Sequence, residues 1–399
     1  MWRITPDRRG DIVMMVSSAS GDRRPRRIDS PRFPGDLVQV SALAVNIGAN
    51  RGWTLRYCST GVLGAPILVT GTLLVPTAPW RHGRRPIIVY SGWVYGLGAI
   101  HGPSVLLGAG GLFDIEPISS ALARGWAVAI SDGERPGINA GSHPYLAGRS
   151  AGYTVLDMAR AAVQTPDSGL SVRAPVGLWG YSEGGRAVAW AAELQSEYCP
   201  DVPVKVVVAG GVPADLTACI EAIDGGPYSG LGLAALIGLS TAHPDTPIQH
   251  LLSPAGQTAI RQAEEASLLH ILTRFRNPLR RFTILRDPWN DPAWAAVLLA
   301  EENGHHQPRV PVYLYHGTHD EVVPIRVAQQ LYADYRVRGS EVTWLDIPGA
   351  NHAQGAEWGA RAAVDHLAAH LEPLSDRTRR RRVRNPPPRP DHGSSPAQS

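Results

Sequence analysis

The strongest constraint on this chain is an alternation of short apolar runs with segments of helical period. The runs IIVY (87–90), AVAI (127–130) and VKVVVA (204–209) are almost wholly apolar, as strands are when both faces of a parallel sheet are covered. Stretches that read as strands lie at 36–45, 54–59, 67–75, 86–91, 126–131, 174–180, 204–209, 310–315 and 341–346. Helical patterns fit between the later ones, at 117–124, 150–163, 183–197, 326–338 and 357–371. The last of these sets Trp358, Ala362, Val364, Leu367 and Leu371 at helical spacing. Strands that alternate with helices imply βαβ units and a doubly wound, mostly parallel α/β sheet.

The alternation stops between 213 and 306. That segment contains LGLAALIGL, GQTAIRQAEEASLLHILTRF and AWAAVLLAEE, helical in pattern and broken by Pro and Gly. It is too long for an ordinary loop, so it is expected to form a helical cap inserted between two strands and folded over one end of the sheet. A second independent domain is the alternative.

Both ends differ from the body. Residues 1–32 are Arg-rich, and their one apolar stretch, 12–16, is shorter than the roughly 7–15 residues of a secretory signal core. Residues 373–399 cluster Arg and Pro without apolar periodicity. Both are expected to be disordered tails on a folded domain at 33–372. Eight Arg against five Asp in 1–36, and seven Arg against two Asp in 376–399, leave −5 for the body of a chain whose formal net charge is +3. A body of that sign is a poor nucleic-acid surface. No apolar run approaches the roughly 20 residues that cross a bilayer, so no transmembrane helix is expected. Cys58, Cys199 and Cys219 match no metal spacing and are read as unreactive buried thiols, with Cys199–Cys219 the one pair that could bridge.

The chemistry is carried by Gly-x-Ser-x-Gly, which sets a Ser on a tight strand-to-helix turn. With 42 Gly and 26 Ser in the chain, about 0.3 matches arise by chance, so context must decide. The match around Ser150 follows HPYLA, which is no strand, and reads as a helix N-cap. The match GYSEGG follows an apolar strand and precedes the helical RAVAWAAELQSEY, so Ser182 is the expected nucleophile. A Ser hydroxyl needs a base, and the base needs an orienting carboxylate. On such a sheet these follow in the order Ser, acid, His, on loops at strand C-terminal ends. Asp320, in YHGTHDEVVP, lies 138 residues after Ser182, and His352, in PGANH, another 32 residues on. Asp320 is preferred over Glu321 because it sits at the loop apex. His316 and His319 flank that loop, and one of them is read as a partner of its backbone. His366 and His370 are expected to face solvent, and nothing ties His101 to chemistry.

From 33 to 372 the chain resembles the secretory lipase family of α/β-hydrolases, which includes lipase A-type triacylglycerol lipases. The resemblance rests on PGDLVQV, LRYCSTGVLGAPILVTGTLLVP, SDGERPG, RSAGYTVLDMARAA, GYSEGG, AGGVPADL, YHGTHDEVVP and PGANH. It implies an α/β-hydrolase fold and a Ser-Asp-His triad that maps onto Ser182, Asp320 and His352. Of the two donors an oxyanion hole requires, the backbone N–H of Glu183 follows from the elbow itself. The resemblance implies Asp132 as the other, whereas the generic fold rule points to Gly92 and Trp93 after strand 86–91. The chain departs from the family at Arg135, where Gly is more usual. The resemblance also implies secretion or the cell envelope, while the absent signal leaves a cytoplasmic location open.

The leading reading is a serine carboxylester hydrolase acting on acylglycerols or small esters, at a lipid–water interface, through an acyl-enzyme. The alternatives are a serine peptidase of the prolyl-oligopeptidase sort and a non-catalytic binder of a hydrophobic ligand. No metal or organic cofactor is called for, since backbone amides do the polarising. Oligomeric state leaves no mark on the sequence.

Overall fold

The computed structural model describes residues 33–44, 47–48, 50–111, 115–135, 142–246 and 248–373, together with two-residue strands at Thr5–Pro6, Ile12–Val13 and Arg26–Arg27. Apart from these pairs and residue 373, the expected tails lie outside the described residues. Nine longer strands form one sheet: β1 (Leu37–Leu43), β2 (Asn50–Thr60), β3 (Pro66–Pro76), β4 (Ile87–Ser91), β5 (Ala127–Ser131), β6 (Val176–Tyr181), β7 (Val204–Gly210), β8 (Val312–Gly317) and β9 (Val342–Ile347). They correspond to the nine expected strands with ends shifted by a few residues.

Across the sheet the order is β9-β8-β7-β6-β4-β5-β3-β2-β1, with Arg26–Arg27 pairing onto β1 at the edge. The strands from β9 to β5 are parallel, and β3, β2 and β1 run antiparallel. β5 lies on one side of β4 and β6 on the other, so the winding reverses between β4 and β6, where an open α/β sheet leaves a crevice for its site.

The apolar runs have the double burial their composition implies. In β4, Ile87 and Val89 join one core while Ile88 and Tyr90 join the other. Val207 and Ala209 of β7 alternate in the same way with Val206 and Val208, as a period of two requires. The first face is covered by α3 (Gly148–Val163), α4 (Glu183–Tyr198) and α10 (Ile325–Val337). The second is covered by α1 (Pro103–Ala109), α2 (Ile115–Ala123) and α11 (His352–Leu371). No element was expected at α1.

Ser150 is not the cap of α3. The helix begins at Gly148, after Ala147, and Ser150 is buried within its first turn. The Gly148 N–H donates 2.7 Å to a carboxylate oxygen of Glu301. A group from a remote segment thus satisfies the free amide that a local hydroxyl was expected to take. A Cβ at position 148 would also collide with the Trp190 indole, which holds the helix start against α4.

Between β7 and β8 the chain forms α5 (Leu216–Ile223), α6 (Ser229–Ala242), α7 (Pro254–Ala263), α8 (Leu268–Arg274) and α9 (Pro292–Ala300). Four of these start at polar caps: Asp215, Ser253, Ser267 and Asp291 accept main-chain N–H groups of their first turns. The helices share an apolar core of their own, centred on Leu236, Leu239, Trp294 and Leu298. That core also takes in Val94 and Leu97 from the loop after β4. Main-chain bonds fasten the two together, from Leu97 N–H to Ala266 O (3.0 Å) and from Leu268 N–H to Tyr95 O (2.8 Å).

Candidate active site

β6 ends in Tyr181, and the chain reverses at once into α4. Ser182 holds this turn at φ +57° and ψ −120°, a strained geometry that costs about 1–3 kcal/mol and is kept only where the surroundings enforce it. Flanking glycines make the turn possible: a Cβ on Gly180 would strike the Gly184 carbonyl, and one on Gly184 the Ser91 carbonyl. The Ser182 N–H is fixed by a 2.9 Å bond to Gly210 O. Its hydroxyl therefore stands at the C-terminal edge of the sheet, beside the first turn of α4.

Two later loops converge on that hydroxyl. The loop after β8 carries Asp320, and the turn after β9 leads into α11, whose first residue is His352. α11 starts five residues earlier than expected because Asn351 and Gln354 form a reciprocal capping box. His352 Nε2 lies 2.9 Å from Ser182 Oγ, and its Nδ1 lies 2.7 Å from Asp320 Oδ2. The Tyr181 hydroxyl donates to the His352 carbonyl at 2.7 Å. The structure thus joins hydroxyl, imidazole and carboxylate in a row. Ser182 and His352 are each only 8% exposed.

The Asp320 side chain is wholly buried. Burial alone would raise its carboxyl, but hydrogen bonds from His316 and His352 outweigh it and hold the group well below the usual carboxylate range. Glu321 plays a different part. One of its oxygens accepts the His352 N–H at 3.0 Å, and the other accepts the hydroxyl of Tyr228, beside α6, at 2.8 Å.

A cavity of about 50 Å³ adjoins the elbow and is lined by Gly92, Trp93, Asp132, Arg135, His143 and Glu183, among others. Both positions considered for the second oxyanion donor face it. The Asp132 main-chain N–H is committed to Thr70 O at 2.9 Å, so only its side chain is left to act as a donor. Burial pushes that carboxyl up to about 6, against hydrogen bonds from Ser104 and the charge of Arg135. The Glu183 N–H belongs to the first turn of α4, whose amides lack intrahelical acceptors.

Arg135 donates from Nε to Asp132 O (2.9 Å) and from Nη1 to Gly96 O (3.1 Å) and Gly98 O (3.2 Å), tying the Asp132 loop to the loop after β4. His143 spans Glu134 O and the Glu183 carboxylate at 2.8 and 2.7 Å. The contacts to Gly96, Gly98 and Glu183 have no sequence signal, because those partners come from separate segments. His316 lies buried against Asp320 as well as against the backbone. His319 is exposed, and His101 is only partly buried. His366 does not face solvent freely: it is half-buried and stacked on Tyr313 at 4.4 Å, and burial pushes it down to about 4. The three cysteines are free and buried, so Cys199 and Cys219 do not pair. Among the described residues no helix is long and apolar enough to cross a membrane.

The chain is similar to known lipases and esterases. The secretory lipase family profile matches residues 106–374. Lipase 10 of Candida albicans is 27% identical, over 85% of this chain and 77% of its own length. A secreted triacylglycerol lipase of Malassezia furfur is 30% identical over 57% of this chain and 61% of its own. A probable inactive lipase of Mycobacterium tuberculosis is 30% identical over 81% and 74%. Among solved structures, Candida antarctica lipase A superposes with a TM-score of 0.74 at 23% identity, over 87% of this chain and 88% of that one. The chain belongs to the secretory lipase family and is a carboxylester hydrolase with the α/β-hydrolase fold.

Proposed function

We propose that the protein hydrolyses lipid esters, triacylglycerols in particular, through an acyl-enzyme on Ser182. The observation that carries this reading is the continuous hydrogen-bonded row from Ser182 Oγ through His352 to Asp320, at 2.9 and 2.7 Å. His352 Nε2 takes the hydroxyl proton as Oγ attacks the ester carbonyl. Asp320 holds the ring in the tautomer protonated on Nδ1 and stabilises the imidazolium that forms. The Glu183 N–H stabilises the oxyanion, joined by the Asp132 carboxyl in its protonated form, the only form of that side chain with a hydrogen to donate. Collapse releases the alcohol, which takes the proton back from Nε2. Water then attacks the acyl-enzyme by the same route in reverse, and the fatty acid leaves.

The helical segment at 213–306 serves as a cap that shapes the acyl site. The near-complete burial of Ser182 and His352 supports a cap that must shift for an ester to enter. Secretion is the location that the relatives favour. Release of acyl chains from tributyrin and longer triacylglycerols tests the proposal, and Ser182→Ala should lower it by at least about 10⁴-fold. A variant with full activity would remove Ser182 from the mechanism. Failure of a fluorophosphonate to label Ser182 would count against the acyl-enzyme on that residue.

A further inference from the structure

Asp320 receives more donors than a Ser-His-Asp row requires. Its Oδ1 accepts the main-chain N–H groups of Val322 (2.9 Å) and Val323 (2.8 Å). Its Oδ2 lies 2.7 Å from His352 Nδ1 and 3.2 Å from His316 Nε2. Three hydrogen bonds and the nearby His316 nitrogen thus surround the carboxylate.

His316 comes from β8. Its ring is wholly buried and stacks on Trp344 of β9, with centroids 6.4 Å apart and planes 13° from parallel. Nε2 also lies 2.9 Å from Val323 O. Carbonyl and carboxylate are both acceptors, so Nε2 carries the proton. Nδ1 has no hydrogen-bond partner among the described residues. A proton there would add an unsatisfied buried donor and a buried charge. The ring thus points its Nε2–H at these acceptors and offers no partner to a second proton on Nδ1.

We propose that His316 is a positioning residue of the ester-hydrolysing site, sharing Asp320 Oδ2 with His352 so that the carboxylate is fixed in orientation and only part of its charge faces the imidazole. This rests on the assignment of Ser182, His352 and Asp320 given above. The shared oxygen stabilises the imidazolium less than an unshared one would, which favours return of the proton to the leaving alcohol. Other titratable groups feel the charge of Asp320: Tyr181 from β6, Cys219 from α5 and Tyr228 beside α6. Asp346 of β9 lies beside His316 in the sheet register. Among the described residues, none of these hydrogen-bonds to Oδ2.

The test compares His316→Leu, which keeps bulk and removes the donor, with His316→Gln, whose amide nitrogen reaches about as far as Nε2. Turnover of a p-nitrophenyl ester is followed against pH. The Leu variant should lose about tenfold or more in kcat, with KM within about twofold. Its acid limb should move up by about half a pH unit, because the whole carboxylate charge then falls on His352. The Gln variant should restore the limb and most of kcat. A Leu variant whose limb stays at the wild-type pH overturns the proposal, as does a Gln variant that behaves like Leu.

If the Leu variant fails to fold, nitrogen-15 histidine spectra of the wild-type protein decide. The ring in contact with the Trp344 indole should carry its proton on Nε2; protonation on Nδ1 refutes the assignment. An active Ser182→Ala variant would bring down the underlying row itself. A labelled, active wild type with an indifferent Leu variant would bring down His316 alone.

Discussion

Replacing Asp320 by Asn changes one atom and leaves the packing intact. The amide oxygen can still accept the Val322 and Val323 N–H groups, at the 2.9 and 2.8 Å now held by Oδ1. The amide nitrogen then occupies the place of Oδ2, 2.7 Å from His352 Nδ1. Two donors cannot face each other, so the imidazole gives up its Nδ1 proton and carries one on Nε2. That nitrogen, 2.9 Å from Ser182 Oγ, then has no lone pair for the hydroxyl proton. The same change in an established Ser-His-Asp triad lowers kcat about 10⁴-fold, roughly 5.5 kcal/mol of barrier. We expect Asp320→Asn to lose activity on that scale, measured as kcat on a soluble p-nitrophenyl ester. Fluorophosphonate labelling of Ser182 should slow in parallel. Glu321→Gln is the control: its carboxylate touches the His352 backbone and Tyr228 but not the ring, so it should cost less than about tenfold. An Asp320→Asn protein within tenfold of wild type, or a Glu321→Gln protein more impaired than Asp320→Asn, would refute the assignment of the acid.

The raised carboxyl of Asp132 makes stability depend on pH. Burial lifts it from 3.8 to about 6, so the folded protein holds this proton more tightly than the unfolded chain does. The resulting stability is fully present below 3.8 and lost as pH rises through about 6. Asp132→Asn removes the dependence, and its stability relative to wild type should rise by about 2 kcal/mol between pH 4 and 8; equal denaturant midpoint shifts at both pH values would contradict this. A third expectation concerns Arg186, 1% exposed, whose guanidinium reaches the Leu146 and Pro213 carbonyls, Asn303 and Glu301. Arg186→Met leaves buried acceptors without their donor and should destabilise the fold by about 3–5 kcal/mol. Urea unfolding at unchanged m-value measures it, and a loss below about 1 kcal/mol would show that the network stabilises little.

Much of this protein was legible in its order of residues. The central strands announced themselves within a few positions, because a stretch covered on both faces must be apolar at every residue, as 87–90 and 127–130 are. Ser182 was distinguishable from Ser150 because only one of the two follows a strand, and backbone strain at an elbow requires small neighbours nearby in sequence. Asp320 and His352 were legible as loops after late strands. What tertiary structure alone decided is every partnership between distant segments. Glu301 reaches back 153 residues to cap α3 and displaces Ser150 from that role. Thr70 takes the Asp132 N–H and leaves only the side chain, His316 shares the oxygen that His352 uses, and Arg135 binds carbonyls of the loop after β4. Local propensity acts over a turn or a pleat, whereas the direction of a buried hydrogen bond depends on which acceptors the folded chain brings within about 3 Å, and no spacing in the sequence encodes that.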